Sequence, residues 1–468
     1  MGVLYMSDSL RWVNLHKNGE RNNPEKKVAS NIKYKLINEL FVIGKLEKYL
    51  VVFAPLLMRL FVIPKTYIQT ITPLTFKQEF VPQLVEGSLL VPYHEYYDLQ
   101  AQMPTEANSI NLRILFSSSC NLQCAYCYAD AKEKGQNIEL DKLTKLLDSF
   151  PADVPIKIEF HGNGEPSMAM SEVKKATKLI RKRFPESIIT LQSNGQFKKR
   201  EAEWFVHNRI GIGFSFDGPE YIHNRQRPAF SSKQNSFNKV LKNIKFMQNH
   251  GGGRFVLAVV TEYSLPHLMD IYEYFKSIGI QSIKFDPIVS VGRAARVERP
   301  EQSPPDIHEF AIKYAEIQKR AFEDNILIDS DFMPSFHSSM PSLYRCQAVS
   351  PCYVVDVNGD LLSCAEGYYL ADKEVNPFFY GEIGEGKIIK DSEKVEYLKN
   401  RNVNNMPECQ KCFLKYNCSG GCLVESFIEN GDIYIPVKKH CSARKKMAIE
   451  FCRYLADKAL KENVSELN

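Results

Sequence analysis

The stretch RILFSSSCNLQCAYCYA, Arg113 to Ala129, decides how this chain is read. It opens within an apolar run, Leu112–Ser117, that suits a buried strand, and passes straight into Cys-x3-Cys-x2-Cys at Cys120, Cys124 and Cys127. Toward the C-terminus, further strand candidates follow at Ile156–Phe160, Ile188–Gln192, Gly211–Phe216, Phe255–Thr261 and Ser282–Asp286. Between them apolar residues recur at helical spacing, as in Leu143, Leu146, Leu147 and Phe150, or Val240, Ile244 and Met247. This alternation marks βα units around a parallel sheet, either a partial barrel or an open doubly wound sheet. In both, functional residues sit just past the strand C-termini, where the cysteine loop lies. Thiolates suit an iron–sulfur cluster or zinc. Three of them leave a coordination position open, whereas a structural zinc site is closed by four, so a zinc loop would need a distant fourth residue.

The rest of the composition bounds the answer. The chain has 468 residues, 44% hydrophobic and 25% charged, with 60 Lys and Arg against 55 Asp and Glu, an ordinary globular profile of two to four domains. A formal charge of +5 gives no electrostatic footprint for nucleic acid. The first thirty residues lack an apolar signal core, and the longest apolar stretch, Leu50 to Leu60, is broken by Pro55 and Arg59, which argues against a membrane span. A cytoplasmic protein is expected. In that reducing compartment twelve cysteines are metal ligands or chemistry, not a disulfide framework.

The cysteine loop resembles the signature of the radical S-adenosylmethionine enzymes, which hold a [4Fe–4S] cluster on three such cysteines and chelate its open iron with the amino and carboxylate groups of S-adenosylmethionine. The resemblance implies an α/β fold with a partial (β/α)6 TIM-type barrel, and places Tyr126 near the adenine. Other strand ends agree with it. His161-Gly162-Asn163-Gly164-Glu165-Pro166 resembles the Gly-Gly-Glu-Pro segment that binds the cofactor amino group, with Asn163 in place of a glycine. A carboxylate at Glu165 matches an ammonium donor. Ser193-Asn194-Gly195 resembles a segment near the cofactor ribose, and Ser215-Phe216-Asp217-Gly218-Pro219 a Ser-x-Asp-Gly-Pro segment. In His223-Asn224-Arg225-Gln226-Arg227, Asn224 replaces an acid, and Arg227 is carried over as a cofactor contact.

A second cysteine set, Cys346, Cys352, Cys364, Cys409, Cys412, Cys418, Cys422 and Cys441, is similar to the SPASM extension of these enzymes. The resemblance implies one auxiliary [4Fe–4S] cluster on Cys346, Cys352, Cys364 and Cys422 and another on Cys409, Cys412, Cys418 and Cys441, three clusters in all. Two zinc ions on four cysteines each are the alternative by ligand chemistry alone. Cys452 is left over as a small buried hydrophobe. Family members mostly modify peptides or proteins. The implied reaction is hydrogen abstraction by a 5′-deoxyadenosyl radical, then oxidation assisted by the auxiliary clusters, giving a C–C, C–S or C–O cross-link in a ribosomally made peptide. A sulfatase-maturase-like oxidation of a protein is the alternative. Maturases carry an Asp after the third auxiliary cysteine; here Ala365 and then Glu366 follow Cys364, with Glu366 as candidate base. A one-electron donor such as flavodoxin or ferredoxin is implied. A non-catalytic iron–sulfur electron carrier would have no use for Glu165 or Asn194, and a zinc-stabilised interaction module would be colourless and keep its metal in air.

The expected organisation is an N-terminal region over 1–105, the barrel over 106–300, a linker over 301–340 with a helix at Ile307–Phe322, and the SPASM extension over 341–468. The N-terminal region reads as a helix near 31–40, strands at Tyr49–Phe53 and Arg59–Ile63, and a helix across Phe76–Val85. That order resembles small winged-helix-like elements that hold leader peptides, and a strand edge could add a peptide strand.

Overall fold

The computed structural model describes residues 3–5, 11–14, 33–37, 40–86, 88–92, 109–230, 235–296, 298–334, 336, 341–349, 352–384 and 387–465. Through its middle run six parallel strands, β1 (Ile110–Leu115), β2 (Ile156–His161), β3 (Ile188–Ser193), β4 (Gly211–Ser215), β5 (Phe255–Val260) and β6 (Ser282–Pro287). Each pairs with the next in sequence order, and each lies within two residues of its expected place. Period-two alternation explains the sheet: in β2, Ile156, Ile158 and Phe160 are buried while Glu159 and His161, on the other face, are half-buried. The same pattern in β6 buries Ile283 and Phe285 and turns Lys284 and Asp286 to that other face. Helices Leu140–Asp148 and Ser236–Gln248 cover the apolar face with the residues their spacing marked, Leu143, Leu146 and Leu147 in one, Val240, Ile244 and Met247 in the other.

The sheet continues at both ends. Strand β7 (Leu327–Asp329) adds in parallel to β6. On the other edge β8 (Cys352–Val355) adds in parallel to β1, from Asn111↔Cys352 to Ile114↔Val355. Strands β9 (Asp360–Leu362), β10 (Phe379–Ile383) and β11 (Ile388–Lys390) then follow antiparallel. The cysteine-rich C-terminal region is therefore an extension of the barrel's own sheet. Helix Ile307–Asp324 starts at Asp306, whose side chain accepts from Glu309 N at 2.8 Å, and stops at left-handed Asn325. It packs along the long C-terminal helix Lys438–Ser465, where Cys452 is buried among apolar side chains, as its leftover status suggested.

The N-terminal region departs from its expected layout. Both strands form, at Tyr49–Ala54 and Arg59–Pro64, but neither flanking helix does as drawn. Within the described part of 31–40, Tyr34–Leu36 is a strand paired with Leu90–Pro92; this long-range ladder overrides local helix preference. Over 76–85, strand Leu74–Phe76 and a single 3-10 turn precede a helix confined to Val81–Glu86. Pro82 accounts for the late start, because proline is tolerated in a first turn but would break a helix already running from Phe76. The two strands are the centre of a five-stranded antiparallel sheet, in the order Val3–Tyr5, Arg11–Asn14, Arg59–Pro64, Tyr49–Ala54, Phe41–Lys45. Both its faces are covered. Val51, Phe53, Leu60 and Val62 join the main core, with Phe53 against Phe336 and Phe413, while Leu50, Val52, Phe61 and Ile63 pack on Tyr67, Leu84 and Leu89.

Candidate functional site

The cysteine loop leaves β1 and is fastened from three sides. Cys120 N donates to Lys132 O (2.7 Å), Gln123 N to Pro228 O (2.7 Å) and Ala125 N to Gln226 O (2.8 Å). Behind it, Arg293 donates to Cys124 O (2.6 Å) and Ala131 O (2.9 Å) and pairs with Asp130 (3.0 Å). Burial opposes the Asp130 charge, but hydrogen bonds from Lys132, Arg296 and Arg293 prevail and hold its carboxyl down to about 2. A side chain on Gly292 would overlap Tyr128 O, so the Arg293 clamp approaches only through glycine. Sequence reasoning missed Arg293; the only signal was a Gly-Arg pair beyond β6.

The turn after β2 lies against this loop. Gly164 N donates to Ser117 O (2.8 Å) and Glu165 N to Ser119 O (2.7 Å), and a Cβ on Gly164 would overlap Ser119 O. Gly162 is similarly close, 3.0 Å from Ser117 O by the same construction, and its carbonyl accepts from Tyr128 OH (3.1 Å). The buried Asn163 Oδ1 has no hydrogen-bond partner among the described residues. The Glu165 carboxylate, 2% exposed, accepts from Ser193 Oγ (2.7 Å), Ser167 N (3.1 Å) and Asn194 N (2.8 Å). A carboxylate has about four acceptor sites, so one remains for a ligand donor. Burial raises its pKa despite these bonds.

From the end of β3, Asn194 Nδ2 reaches Asn121 Oδ1 (2.7 Å) and Cys120 Sγ (3.7 Å). From β4, Ser215 Oγ accepts from Gln192 (2.9 Å). Asp217 is a hub: Oδ2 accepts from Tyr126 OH (2.6 Å) and Gln226 (2.8 Å), and Oδ1 from Val259 N (3.2 Å), with Arg227 Nε at 3.0 Å. Both oxygens of Asp217 are thus taken by protein donors, so it orients Tyr126 and Arg227 from behind. The Arg227 guanidinium stands 5.3 Å from the Tyr126 ring centre and 3.9 Å from Cys124 Sγ. His223, fully buried, accepts from Asp217 N (3.3 Å); burial drives its pKa down to about 3.

The cysteines beyond the barrel fall into two neighbourhoods. Beyond burial, Cys409, Cys412 and Cys441 each feel Cys418, whereas Cys364 feels Glu366 and Cys346, and Cys422 feels Glu425, Glu366 and Cys364. Cys352 begins β8; its side chain lies outside the described residues. Glu366 opens a 3-10 turn two residues after Cys364, facing a charged group that sequence reasoning missed. There Arg113 pairs with Glu159 (2.7 Å), and Lys284 with Asp286 (3.2 Å) and Asp331 (2.6 Å). Burial, then Asp331 and Asp286, push Glu366 up to about 7. Tyr128, the residue after Cys127, is also in electrostatic reach of Glu366. Arg113 in β1, Glu159 in β2 and Lys284 and Asp286 in β6 are isolated charges within strands, and the sequence alone does not pair them.

Residues 114–275 match the model of the Radical SAM superfamily. The chain carries a radical SAM domain. It is 26% identical over 344 residues to the serine-type anaerobic sulfatase-maturating enzyme of Bacteroides thetaiotaomicron, covering 67% of this chain and 82% of that one. With the cysteine-type anaerobic sulfatase-maturating enzyme of Clostridium novyi it shares 24% over 327 residues, 65% and 85% of the two chains. Among solved structures, native anSMEcpe with bound AdoMet and Cp18Cys peptide superposes with a TM-score of 0.56 at 22% identity, covering 76% and 99%. Streptococcus suis SuiB bound to precursor peptide SuiA gives 0.53 at 14%, covering 75% and 81%. These two likenesses are of fold, the partial barrel with its extended sheet, and the cysteine-rich C-terminal region fits a SPASM-like domain.

A radical SAM domain implies a [4Fe–4S] cluster and S-adenosylmethionine, and the residues present fit them. Burial, then neighbouring thiols and Glu165, raise the Cys120 thiol, and burial pushes Cys124 up to about 11 despite Arg227. Such a group of thiols ionises together only around positive charge, as metal binding supplies. Among the described residues no three His, Cys, Asp or Glu converge on a single ion, and a cubane, which offers each thiolate its own iron, does not require it. No helix among the described residues is long and apolar enough to cross a membrane.

Proposed function

We propose that this radical SAM enzyme is a maturase that oxidises a peptide or protein substrate. The observation that carries the proposal is the meeting of loops from β1 to β4 around Cys120, Cys124 and Cys127, with the Glu366 charge in reach of Tyr128 beside them. When bound, the cluster and S-adenosylmethionine supply the carbon radical that takes a hydrogen atom from the substrate. Cys120, Cys124 and Cys127 would hold that cluster. Glu165 would accept from the cofactor ammonium with its free site, Gly162 and Gly164 would let the backbone close in, and Ser193, Asn194 and Ser215 would offer hydrogen bonds to its polar groups. Tyr126 would wall the adenine, kept in place by Asp217 and backed by Arg227.

The two C-terminal neighbourhoods, that of Cys346, Cys364 and Cys422 completed by Cys352, would hold two more [4Fe–4S] clusters. With four thiolates each they leave no iron open for substrate, which favours electron acceptance. Glu366, without a hydrogen bond or ion pair among the described residues, would take the proton. The substrate then loses a hydrogen atom, an electron and a proton, which closes a C–C, C–S or C–O cross-link or leaves a carbonyl. The relatives' names favour oxidation of a sulfatase-like protein; Ala365, where the maturases have Asp, favours the cross-link.

The test is high-resolution mass spectrometry of any short precursor peptide found encoded beside this gene, and of a serine-bearing sulfatase peptide, after anaerobic turnover. The expected product is lighter by about two hydrogens. A hydrazide reagent separates carbonyl from cross-link, and an unchanged mass or an added methyl group sinks the proposal.

A further inference from the structure

The turn between Cys418 and Cys422 is wrapped around a guanidinium that has no exposure to solvent. Arg401 donates through Nη1 to Ser419 O (3.0 Å), through Nη2 to Gly420 O and Gly421 O (3.0 Å each), and through Nε to Ile433 O (3.1 Å). Three consecutive carbonyls can converge because Ser419, Gly420 and Gly421 all adopt positive φ, 49°, 83° and 79°. A Cβ on Gly420 would stand 3.1 Å from Arg401 Nη2, and one on Gly421 would overlap Arg444 Nη1. Arg444 is thus a second buried arginine on the same turn. It donates to Phe332 O and lies 3.3 Å from the Glu425 carboxylate, which compensates its charge.

Arg401 has no carboxylate partner among the described residues. The groups that act on its charge from the anionic side are Cys346, Cys422, Cys418 and Cys409, drawn from both C-terminal neighbourhoods. A guanidinium removed from water is strongly penalised, and carbonyl dipoles only partly replace the lost hydration. Neutral thiols would leave that penalty standing. Thiolates on iron–sulfur clusters remove it, since a cubane held by four thiolates is a net anion and reduction adds one more negative charge.

We propose that Arg401 is the shared counter-charge of the two C-terminal cysteine sets, seated at the joint between them and favouring the electron each cluster accepts. The inference rests on the assignment of those cysteines to two clusters. Net charge near the sulfurs helps to set a cluster's potential, and Arg401 acts through its charge. Arg444, already paired with Glu425, contributes less.

Iron analysis of the reconstituted wild-type chain comes first. About 12 iron atoms per chain establish the three clusters, and about 4 would remove the underlying assignment before any arginine is changed. Potentiometric titration followed by EPR is then run on full-length protein with Cys120, Cys124 and Cys127 all replaced by Ala, so that only the C-terminal clusters report. R401Q should lower at least one midpoint by tenfold or more in the reduction equilibrium, about 59 mV for one electron. R401K, which keeps the charge and loses the fork, should stay within that margin of the parent, and R444Q should shift less than R401Q. Unchanged potentials in R401Q, or equal shifts in R401Q and R401K, would overturn the proposal. Should R401Q lose its iron, R401K decides: iron and potential retained there support the counter-charge, and iron lost in both makes Arg401 a purely structural residue.

Discussion

Glu165 shows how much one carboxylate can be asked to do. Its two oxygens accept three protein donors, so a Gln there would turn its NH2 toward one of them. Glu165→Gln should weaken S-adenosylmethionine binding about tenfold or more, the loss of a charge-assisted hydrogen bond worth roughly 1.5–3 kcal/mol, with iron content unchanged. Calorimetric titration of the reconstituted protein checks both, and an equal affinity would make Glu165 an ordinary turn residue. His223 makes the pH prediction. Burial lowers its pKa from 6.5 to about 3, so between those values the unfolded chain binds a proton that the fold refuses. This contribution is intact above about pH 6.5 and is lost as the pH falls, about 2 kcal/mol by pH 5 at 1.36 kcal/mol per unit. His223→Asn should narrow the difference in thermal midpoint between pH 7 and pH 5; an unchanged gap would show that His223 is not refusing the proton. The strand-end motifs were legible because each packs several diagnostic residues into one short segment. Arg293, Arg113 and Lys284 were not, since each is a single charge whose meaning comes from partners far away in sequence, Arg293 on Asp130, Arg113 on Glu159 and Lys284 on Asp331.

At the level of elements, the barrel strands were readable because they are short apolar runs, most of them alternating in burial, and each is followed by its own covering helix. The N-terminal region was not, because its two central strands are apolar on both faces and period-two reasoning cannot say what lies on either side. The structure resolves this with two separate cores. Phe53 anchors one, edge-on to Phe336 and Phe413, and so ties the N-terminal sheet to the C-terminal region. Phe53→Ala should cost about 3–5 kcal/mol of stability, read as a lower denaturation midpoint in urea, whereas a loss below about 1 kcal/mol would mean that this sheet is only loosely docked. The same contact makes deletion of residues 1–105 unsuitable as a test of peptide recognition, since it would strip the apolar cover from the main core along with any peptide-binding edge.

Across the whole molecule, the division into barrel and C-terminal extension is a division of sequence more than of structure. Strand β8 pairs directly with β1, the strand that carries the Cys120–Cys127 loop, so backbone ties the C-terminal region to the root of that loop. This has a consequence for synthesis. On the ribosome β1 gains β2 early, but its other edge, an apolar strand, waits for Cys352–Val355 to emerge, on the order of tens of seconds at about 5–20 residues per second. An unpaired apolar edge invites pairing with other chains. Nascent chains stalled before Cys352 should therefore be held by chaperones and cut readily by protease, while chains stalled past the C-terminal helix should resist; equal protease sensitivity would show that β1 finds another cover meanwhile. Oxygen reaching the cysteine loop during that interval would meet it before its enclosing wall has arrived, which ties safe cluster loading to completion of the chain.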